Sequence, residues 1–501
     1  MTNPTERSAP LDLDPAEFRR LGHDLVDRIA GHLESLSGLP VNPGDTPTEI
    51  RTRLGDAGLP ETGMDPGKLL GEASDLLFDK SLFNGHPSFF GYITSSGAPI
   101  GALGDLLAAS INPNLGGFLL SPMACEIELQ VVRWIAEFLR MPASTGGLLV
   151  SGGNMANLVG FWTARQEKLP KDIRTLGVTA LSGSPRAYVS AETHTWVQKA
   201  ADLSGFGTDS VRWIPTDSGL RMDPEALREN IARDKAAGDL PFLVVANAGT
   251  VSTGAVDPIR EIAAICREHD LWLHVDGAYG APAAVLNHVP EDLHHLGLAD
   301  SLAVDPHKWL YTPLEAGCVL VRDREALRRT FSYRPDYYPA DDTRGGDPGI
   351  FFHEFGPQNS RGFRALKVWL AFRQVGRSGY ARMIGEDIAL AEYLHELAGR
   401  EPELEPVAQG LSISAFRFVP GDIDADAQAE YLDELNRVLV ERLQISGEAF
   451  VSNAVVGGRY LLRACVVNFR TDRAAMEHLV ATVIRHGRDL DAELRPQGDP
   501  H

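Results

Sequence analysis

"FLVVANAGTVSTGAVDPIREIAAICREHDLWLHVDGAYG", residues 242–280, contains two short apolar runs, FLVVANAG and LWLHVD, joined by the helical stretch DPIREIAAICREH. Apolar strands alternating with helices indicate an α/β domain with a mainly parallel sheet. The pattern extends in both directions. Upstream lie the helix CEIELQVVRWIAEFL and the strands of LLVSGG, RAYVSAE and VRWIPTD; downstream lie SLAVDP and GCVLVRD.

Towards the termini the pattern changes. Phe18, Leu21, Leu25, Ile29, Leu33 and Leu36 recur at helical spacing after Asp14, Pro15 and Glu17, residues suited to a capped first turn. The Pro/Gly-rich connection LPVNPGDTPTEI follows, and no packed unit of its own is evident before about residue 85. This arm is expected to pack on another body, such as a second subunit. Beyond about residue 386, the alternating runs SISAFRFV and RYLLRACVVNF accompany the helical stretches DAQAEYLDELNRVLVERL and RAAMEHLVATVIRHGRDLDAEL. The expected division is an arm over 1–95, a large domain over 96–385 and a small α+β domain over 386–501.

With 501 residues, 44% hydrophobic and 23% charged, the chain has a globular composition and is too long for one simple core. Its net charge of -21 argues against nucleic acid or an anionic membrane as partner. Cys125, Cys266, Cys318 and Cys465 are widely spaced in apolar contexts and form no CxxC pair, which suits structural thiols in a reducing compartment. No signal pattern opens the chain, and no uncharged apolar run reaches the roughly 18 to 20 residues of a membrane span. A cytoplasmic location is expected.

Ligands of open α/β sheets gather at the carboxyl ends of strands. LLVSGGNMANLVGFW ends a strand at Gly152, Gly153 and Asn154 and begins a helix, whose free N–H groups and positive end suit a phosphate. A plain turn is the competing explanation. YVSAETHTWVQKAADL delivers His194, for which packing or capping would also account. VVANAGTVSTGAVDP offers Gly249, Thr250, Val251 and Ser252, equally compatible with an ordinary polar loop. LWLHVDGAYGAPA brings Asp276 out of an apolar strand, where a carboxylate needs a cationic partner unless it caps a helix. AVDPHKWLYTPLEAGCVLVRD, residues 303–323, adds Lys308, alone an ordinary snorkelling lysine. Together these strand ends match the needs of pyridoxal 5'-phosphate: an amine for its aldehyde, a carboxylate for its ring nitrogen, an imidazole against the ring and a helix start for the phosphate.

These residues resemble the group II pyridoxal phosphate-dependent amino acid decarboxylases, a family that includes aromatic L-amino acid, glutamate, histidine and tyrosine decarboxylases; the aromatic members are the most similar. The resemblance runs from GHPSFFGYITSS at residue 85 to the last helix and is most specific at DPHKW, residues 305–309. HVDGAYG, THTWVQKAADL and SPMACEIELQVVRWI match the family's aspartate, histidine and dimer-associated segments. The resemblance implies a type I aminotransferase-like fold, with a small C-terminal domain and an N-terminal arm wrapped around the other subunit of a homodimer. It implies that Lys308 is the imine lysine, Asp276 the pyridinium partner and His194 the stacking residue. It further implies that Asp305 lies near the phosphate and that Ala278 and His307 complete the cofactor contacts.

FSYRPDYYPADDTRGGDPGIFF, residues 331–352, reads as a lid; within it Tyr337 matches the family's catalytic tyrosine, with Tyr333 and Tyr338 as neighbours. A tyrosine there favours simple decarboxylation over the aldehyde-forming relatives, which carry phenylalanine. Asn154 replaces a frequent serine, and Gly362 follows Arg361 where many relatives have a second arginine. Phe89, Phe90, Tyr92 and Ile93 suggest an aromatic, uncharged substrate wall, and Ser360 stands where some plant relatives take phenolic substrates. The expected substrate is an aromatic amino acid: tyrosine, dihydroxyphenylalanine, tryptophan or phenylalanine. Glutamate would require a further cation, and 2,4-diaminobutyrate or valine an anion or a small apolar wall. Transamination or another lyase reaction keeps the same cofactor.

Overall fold

Seven strands form the central sheet: β1 (Gly146–Val150), β2 (Pro185–Ser190), β3 (Val211–Ile214), β4 (Leu240–Asn247), β5 (Trp272–Asp276), β6 (Ser301–Val304) and β7 (Gly317–Val321). The computed structural model that shows them describes residues 9–333, 349–425 and 427–495. The sheet order is β1-β7-β6-β5-β4-β2-β3. Neighbours from β6 through β3 are parallel, and β7 runs antiparallel to both β6 and β1. The α/β class and the mainly parallel sheet are therefore as the sequence implies.

Alternation along the strands sorts their side chains into two cores. Leu149, Tyr188, Val244, Ala246, Leu273, Val275 and Leu302 pack on one face. Leu148, Val150, Val189, Leu243, Val245, Trp272 and Ala303 pack on the other, under the helix Gly153–Lys168. Helical layers on both faces explain why the strands read as unbroken apolar runs. The parallel register sets Asn247 of β4 beside Asp276 of β5, and Asp276 beside Ala303 of β6, so polar residues from several strands converge at one edge.

The helix Ala365–Arg400 connects this body to a second sheet, with non-helical backbone only at Gly376 (φ 68°). That sheet is antiparallel, with order β10-β11-β9-β8. Its strands are β8 (Leu404–Gly410), β9 (Ile413–Phe418), β10 (Ser452–Val456) and β11 (Arg459–Cys465). Phe416, Phe418, Leu439 and Leu479 form its core with the helices Ala429–Ser446 and Arg473–Leu494.

At the other end, the helix Pro15–Ser35 forms where the apolar spacing predicts, and Asp14 accepts a hydrogen bond from the Ala16 N–H at 2.7 Å. Leu21 is buried, yet Phe18, Val26, Ile29 and Leu33 are exposed. The helix Pro99–Ile111 likewise exposes Leu103, Leu106, Leu107 and Ile111. All four cysteines are buried free thiols. Among the described residues, no helix is long and apolar enough to cross a membrane.

Candidate active site

The carboxyl ends of β2, β4, β5 and β6 open onto a cavity of about 250 Å³. Ile93, Gly153, Asn154, His194, Thr250, Asp276, Ala278, Asp305 and Lys308, all singled out from the sequence, line it. Residues from six separate segments thus meet in one place.

Lys308 follows β6 in a tight turn, its N–H donating to the Asp305 carbonyl at 2.9 Å. Its Nζ lies 3.2 Å from Asp305 Oδ2. Asp305 is itself buried, and its Oδ1 has no hydrogen-bond partner. The same carboxylate closes on the glycine turn after β1: a Cβ on Gly153 would lie 2.5 Å from Asp305 Oδ2, so no larger residue fits there without displacement. Gly152 has φ 120°, a conformation that glycine adopts without Cβ strain. The helix Gly153–Lys168 begins at this turn, so that Gly153 and Asn154, whose N–H groups have no intrahelical partner, line the cavity.

Asp276 ends β5 on the face that carries this helix. Its Oδ2 accepts the indole N–H of Trp196 at 2.7 Å, and its Oδ1 accepts the Ala278 N–H at 3.2 Å. Both donors are neutral, and Asp276 has no ion pair among the described residues. Two residues earlier on the same face, buried His274 contacts Ser301 Oγ at 2.8 Å and Asn157 Oδ1 at 2.7 Å. Burial pushes the His274 pKa down to about 4, so this ring is neutral.

His194 presents an exposed face at the cavity. Its Nδ1 accepts the Trp196 N–H at 3.3 Å. Desolvation, joined by Lys308 and Lys199, holds its pKa below the usual imidazole value despite Asp276 and Asp305. The ring is therefore flat and uncharged at neutral pH. Thr250 is buried, and its hydroxyl accepts the Ala255 N–H at 3.1 Å and contacts Thr253 at 3.2 Å.

Seven other residues singled out from the sequence stand away from the lining. Gly152 belongs to the turn behind Gly153, and His307 packs against that turn with its Nδ1 2.7 Å from the Ala316 carbonyl. Ser252 lies one residue past the lining Val251. Phe89 is buried with Val41 against Phe450, their rings 5.3 Å apart, and Phe90 belongs to the small-sheet core. Tyr92 is mostly exposed, and Ser360 is exposed. Tyr337 and Tyr338 lie outside the described residues. Arg361 is buried in an ion pair with Glu128 and also donates to the Leu149 carbonyl at 2.7 Å, bracing β1 ahead of the glycine turn.

The sequence reading missed Asn157, Glu192, Asn247 and Tyr279, which also line the cavity. Asn157 is four residues after Gly153 on one helix face, a spacing that could have revealed it. Glu192 is half-buried, and desolvation raises its carboxyl pKa. Lys308 is the only lysine or arginine in the lining among the described residues. From the small sheet, buried Arg463 donates to the Val251 and Tyr92 carbonyls, at 2.5 and 2.6 Å, and fixes two loops at the cavity rim.

A profile described as "Pyridoxal-dependent decarboxylase conserved domain" matches residues 47–418. The chain is 35% identical over 477 residues to an aromatic-L-amino-acid decarboxylase of Bacillus atrophaeus, covering 95% of this chain and 96% of that one. It is 31% identical to tryptophan decarboxylase 1 of Oryza sativa subsp. japonica, with 93% and 94% covered. A solved Oryza sativa TDC structure with PLP and tryptamine superposes with a TM-score of 0.87 at 29% identity, over 97% of this chain and 100% of that one.

Proposed function

The chain belongs to the pyridoxal-dependent decarboxylase family, and from that premise we propose that it removes the α-carboxylate of an aromatic L-amino acid, releasing the amine and carbon dioxide. The observation that carries this reading is the meeting of Lys308, Asp276, His194 and the Gly153 helix start in one cavity. The cavity fits pyridoxal 5'-phosphate in two respects. Asp276 is a buried carboxylate held only by neutral donors, suited to a protonated ring nitrogen. The helix that starts at Gly153 brings Gly153 and Asn154 into the lining, and the N–H groups of a first helical turn have no intrahelical partner and suit a phosphate.

Lys308 would hold the cofactor covalently, Asp276 would meet its ring nitrogen, His194 would lie on its face, and Gly152, Gly153 and Asn154 would take the phosphate. Thr250, Ser252, Ala278, Asp305 and His307 would complete its surroundings. When bound, pyridoxal 5'-phosphate supplies an aldehyde for amines and an electron-withdrawing ring. The protein's own residues do the rest. Asp305 Oδ2 lies 3.2 Å from Lys308 Nζ and holds the lysine side chain at the cavity. Trp196 and Ala278 fix the Asp276 carboxylate in one orientation. Neutral His194 adds no charge to compete with Asp276. Tyr337 is assigned the proton returned to Cα, in a segment outside the described residues.

Ile93, Val251 and Tyr279 give the cavity an apolar and aromatic border, and among the described residues no second lysine or arginine lines it to receive a glutamate side chain. Ile93 is the wall residue within the lining, with Tyr92 and Ser360 assigned to the surrounding substrate region. Glu192 favours a second reading, a substrate with a cationic side chain such as 2,4-diaminobutyrate. We assign the exposed leucines of the Pro99–Ile111 helix and the N-terminal arm to a homodimer interface. The division into 1–95, 96–385 and 386–501 and a cytoplasmic location belong to the same proposal.

The test is an absorbance spectrum of purified protein loaded with cofactor, followed by carbon dioxide and amine analysis on a panel of aromatic amino acids, glutamate and 2,4-diaminobutyrate. A visible band that depends on Lys308 and amine formed fastest from an aromatic acid are expected. Aldehyde in place of amine would assign the chain to the oxidative chemistry, and fastest turnover of diaminobutyrate would favour the second reading.

A further inference from the structure

The turn that carries Lys308 has a second side, away from the cavity. Trp309, Leu310 and Tyr311 follow the lysine directly and are each buried to within 1% of complete. Three bonds bind this run to one face of the Ala365–Arg400 helix. Trp309 Nε1–H and the Tyr311 hydroxyl both donate to Asp387 Oδ2, at 2.8 and 2.6 Å. Two turns earlier on that face, the Tyr380 hydroxyl donates to the Leu310 carbonyl at 3.0 Å, and the Tyr311 and Tyr380 rings lie parallel. Trp309 also stacks on the cavity-lining Tyr279 at 5.0 Å, with ring planes 15° apart.

The backbone explains why such a clamp is needed. Tyr311 has φ 53°, a left-handed conformation that is unfavourable for an L-residue because its Cβ crowds the following carbonyl. Its N–H returns to the Lys308 carbonyl at 3.2 Å, so this conformation determines how the lysine leaves the turn. Asp387 is 3% exposed and has no ion pair among the described residues. Burial pushes its pKa up to about 7; Tyr311, Cys465 of β11 and Glu386 on its own helix are the titratable groups that act on it, and none is a cation.

We propose that Asp387 is a positioning residue: by receiving both Trp309 and Tyr311 it fixes the left-handed turn after Lys308 and so sets the direction of the lysine side chain towards the cofactor. The inference rests on Lys308 being the lysine that holds the cofactor. It makes the helix that enters the small domain part of the scaffold of the catalytic turn.

Three variants of the full-length protein test it: Asp387→Leu, which removes the acceptor; Asp387→Asn, which keeps a carbonyl acceptor of the same shape; and Tyr311→Phe, which removes one donor and keeps the ring. The readouts are the dissociation constant for pyridoxal 5'-phosphate, the pH midpoint of the visible band, kcat and KM separately, and the melting temperature of apo and loaded protein. Asp387→Leu is expected to weaken cofactor capture about tenfold and to displace the pH midpoint, with kcat falling more than KM rises. Tyr311→Phe should show the same changes at about a third of the size, and Asp387→Asn should lie within about twofold of the parent. Wild-type affinity and midpoint in folded Asp387→Leu, with only the melting temperature lowered, would overturn the inference; should that variant fail to fold, the same result in Tyr311→Phe decides. Persistence of the parent visible band in Lys308→Ala would instead remove the lysine assignment itself.

Discussion

The two sides of the Lys308 turn are built on opposite principles. On the cavity side, bonding capacity is left unmet: Asp305 Oδ1 is buried without a partner, Asp276 has neutral donors only, and the lysine is partly open. On the helix side, Asp387, Trp309, Tyr311 and the Leu310 carbonyl are all engaged in direct hydrogen bonds. An unmet buried polar atom is costly, and a protein retains it where a ligand will meet it. A satisfied network resists movement and suits support. The contrast therefore separates the groups that act on a ligand from those that aim them.

Lys308→Ala is the strongest challenge to that separation. It should lower turnover by roughly 10³-fold or more and abolish the visible band; a mutant that stays yellow and active would place the chemistry elsewhere. Asp276→Asn keeps the shape and removes the charge, and a loss in kcat on the order of 10²-fold is expected, with Trp196→Phe costing about tenfold through the lost 2.7 Å bond. Equal effects from the two would mean that Asp276 is merely a packed acceptor. Gly153→Ala should weaken cofactor binding about tenfold by forcing Asp305 aside; unchanged binding in an equilibrium titration would show that the close approach relaxes freely.

The smallest effect sharpens the comparison from the helix side. A carboxyl group raised to about 7 by burial binds its proton more tightly in the folded chain than in the unfolded one. Protonation of Asp387 thus favours folding above the ordinary carboxylate range, and this contribution is lost as the pH rises through 7. The melting temperature of the parent should decline relative to Asp387→Asn between pH 5 and pH 8. Parallel curves would mean that its hydrogen bonds hold the carboxylate ionised throughout.

Much of the large domain was legible because each buried strand is an apolar run ending in a chemically distinctive residue. The same property exposed Gly153, His194, Asp276 and Lys308. Phe89 and Phe90 suggested a wall from their aromatic character, but Phe450 and the small-sheet core surround them, and distant packing leaves no local pattern. Strands β8 and β10 escaped notice because a proline interrupts one and exposed positions occupy much of the other. Asp387 is one acid among many on a long helix, and Arg463 one basic residue on a strand. Their meaning comes from partners 76 or more residues away.

The two faces of β5 limit how the chain can vary. Trp272, His274 and Asp276 face the Gly153–Lys168 helix, while Leu273 and Val275 face the opposite core. One residue inserted within this strand would turn Asp276 towards the far layer, although every functional residue would still be present in the sequence. For this strand, length is as strict a heritable requirement as identity. Insertions and deletions compatible with activity must therefore fall in the connections, and an alignment gap inside β5 would mark a lost activity as surely as a missing lysine.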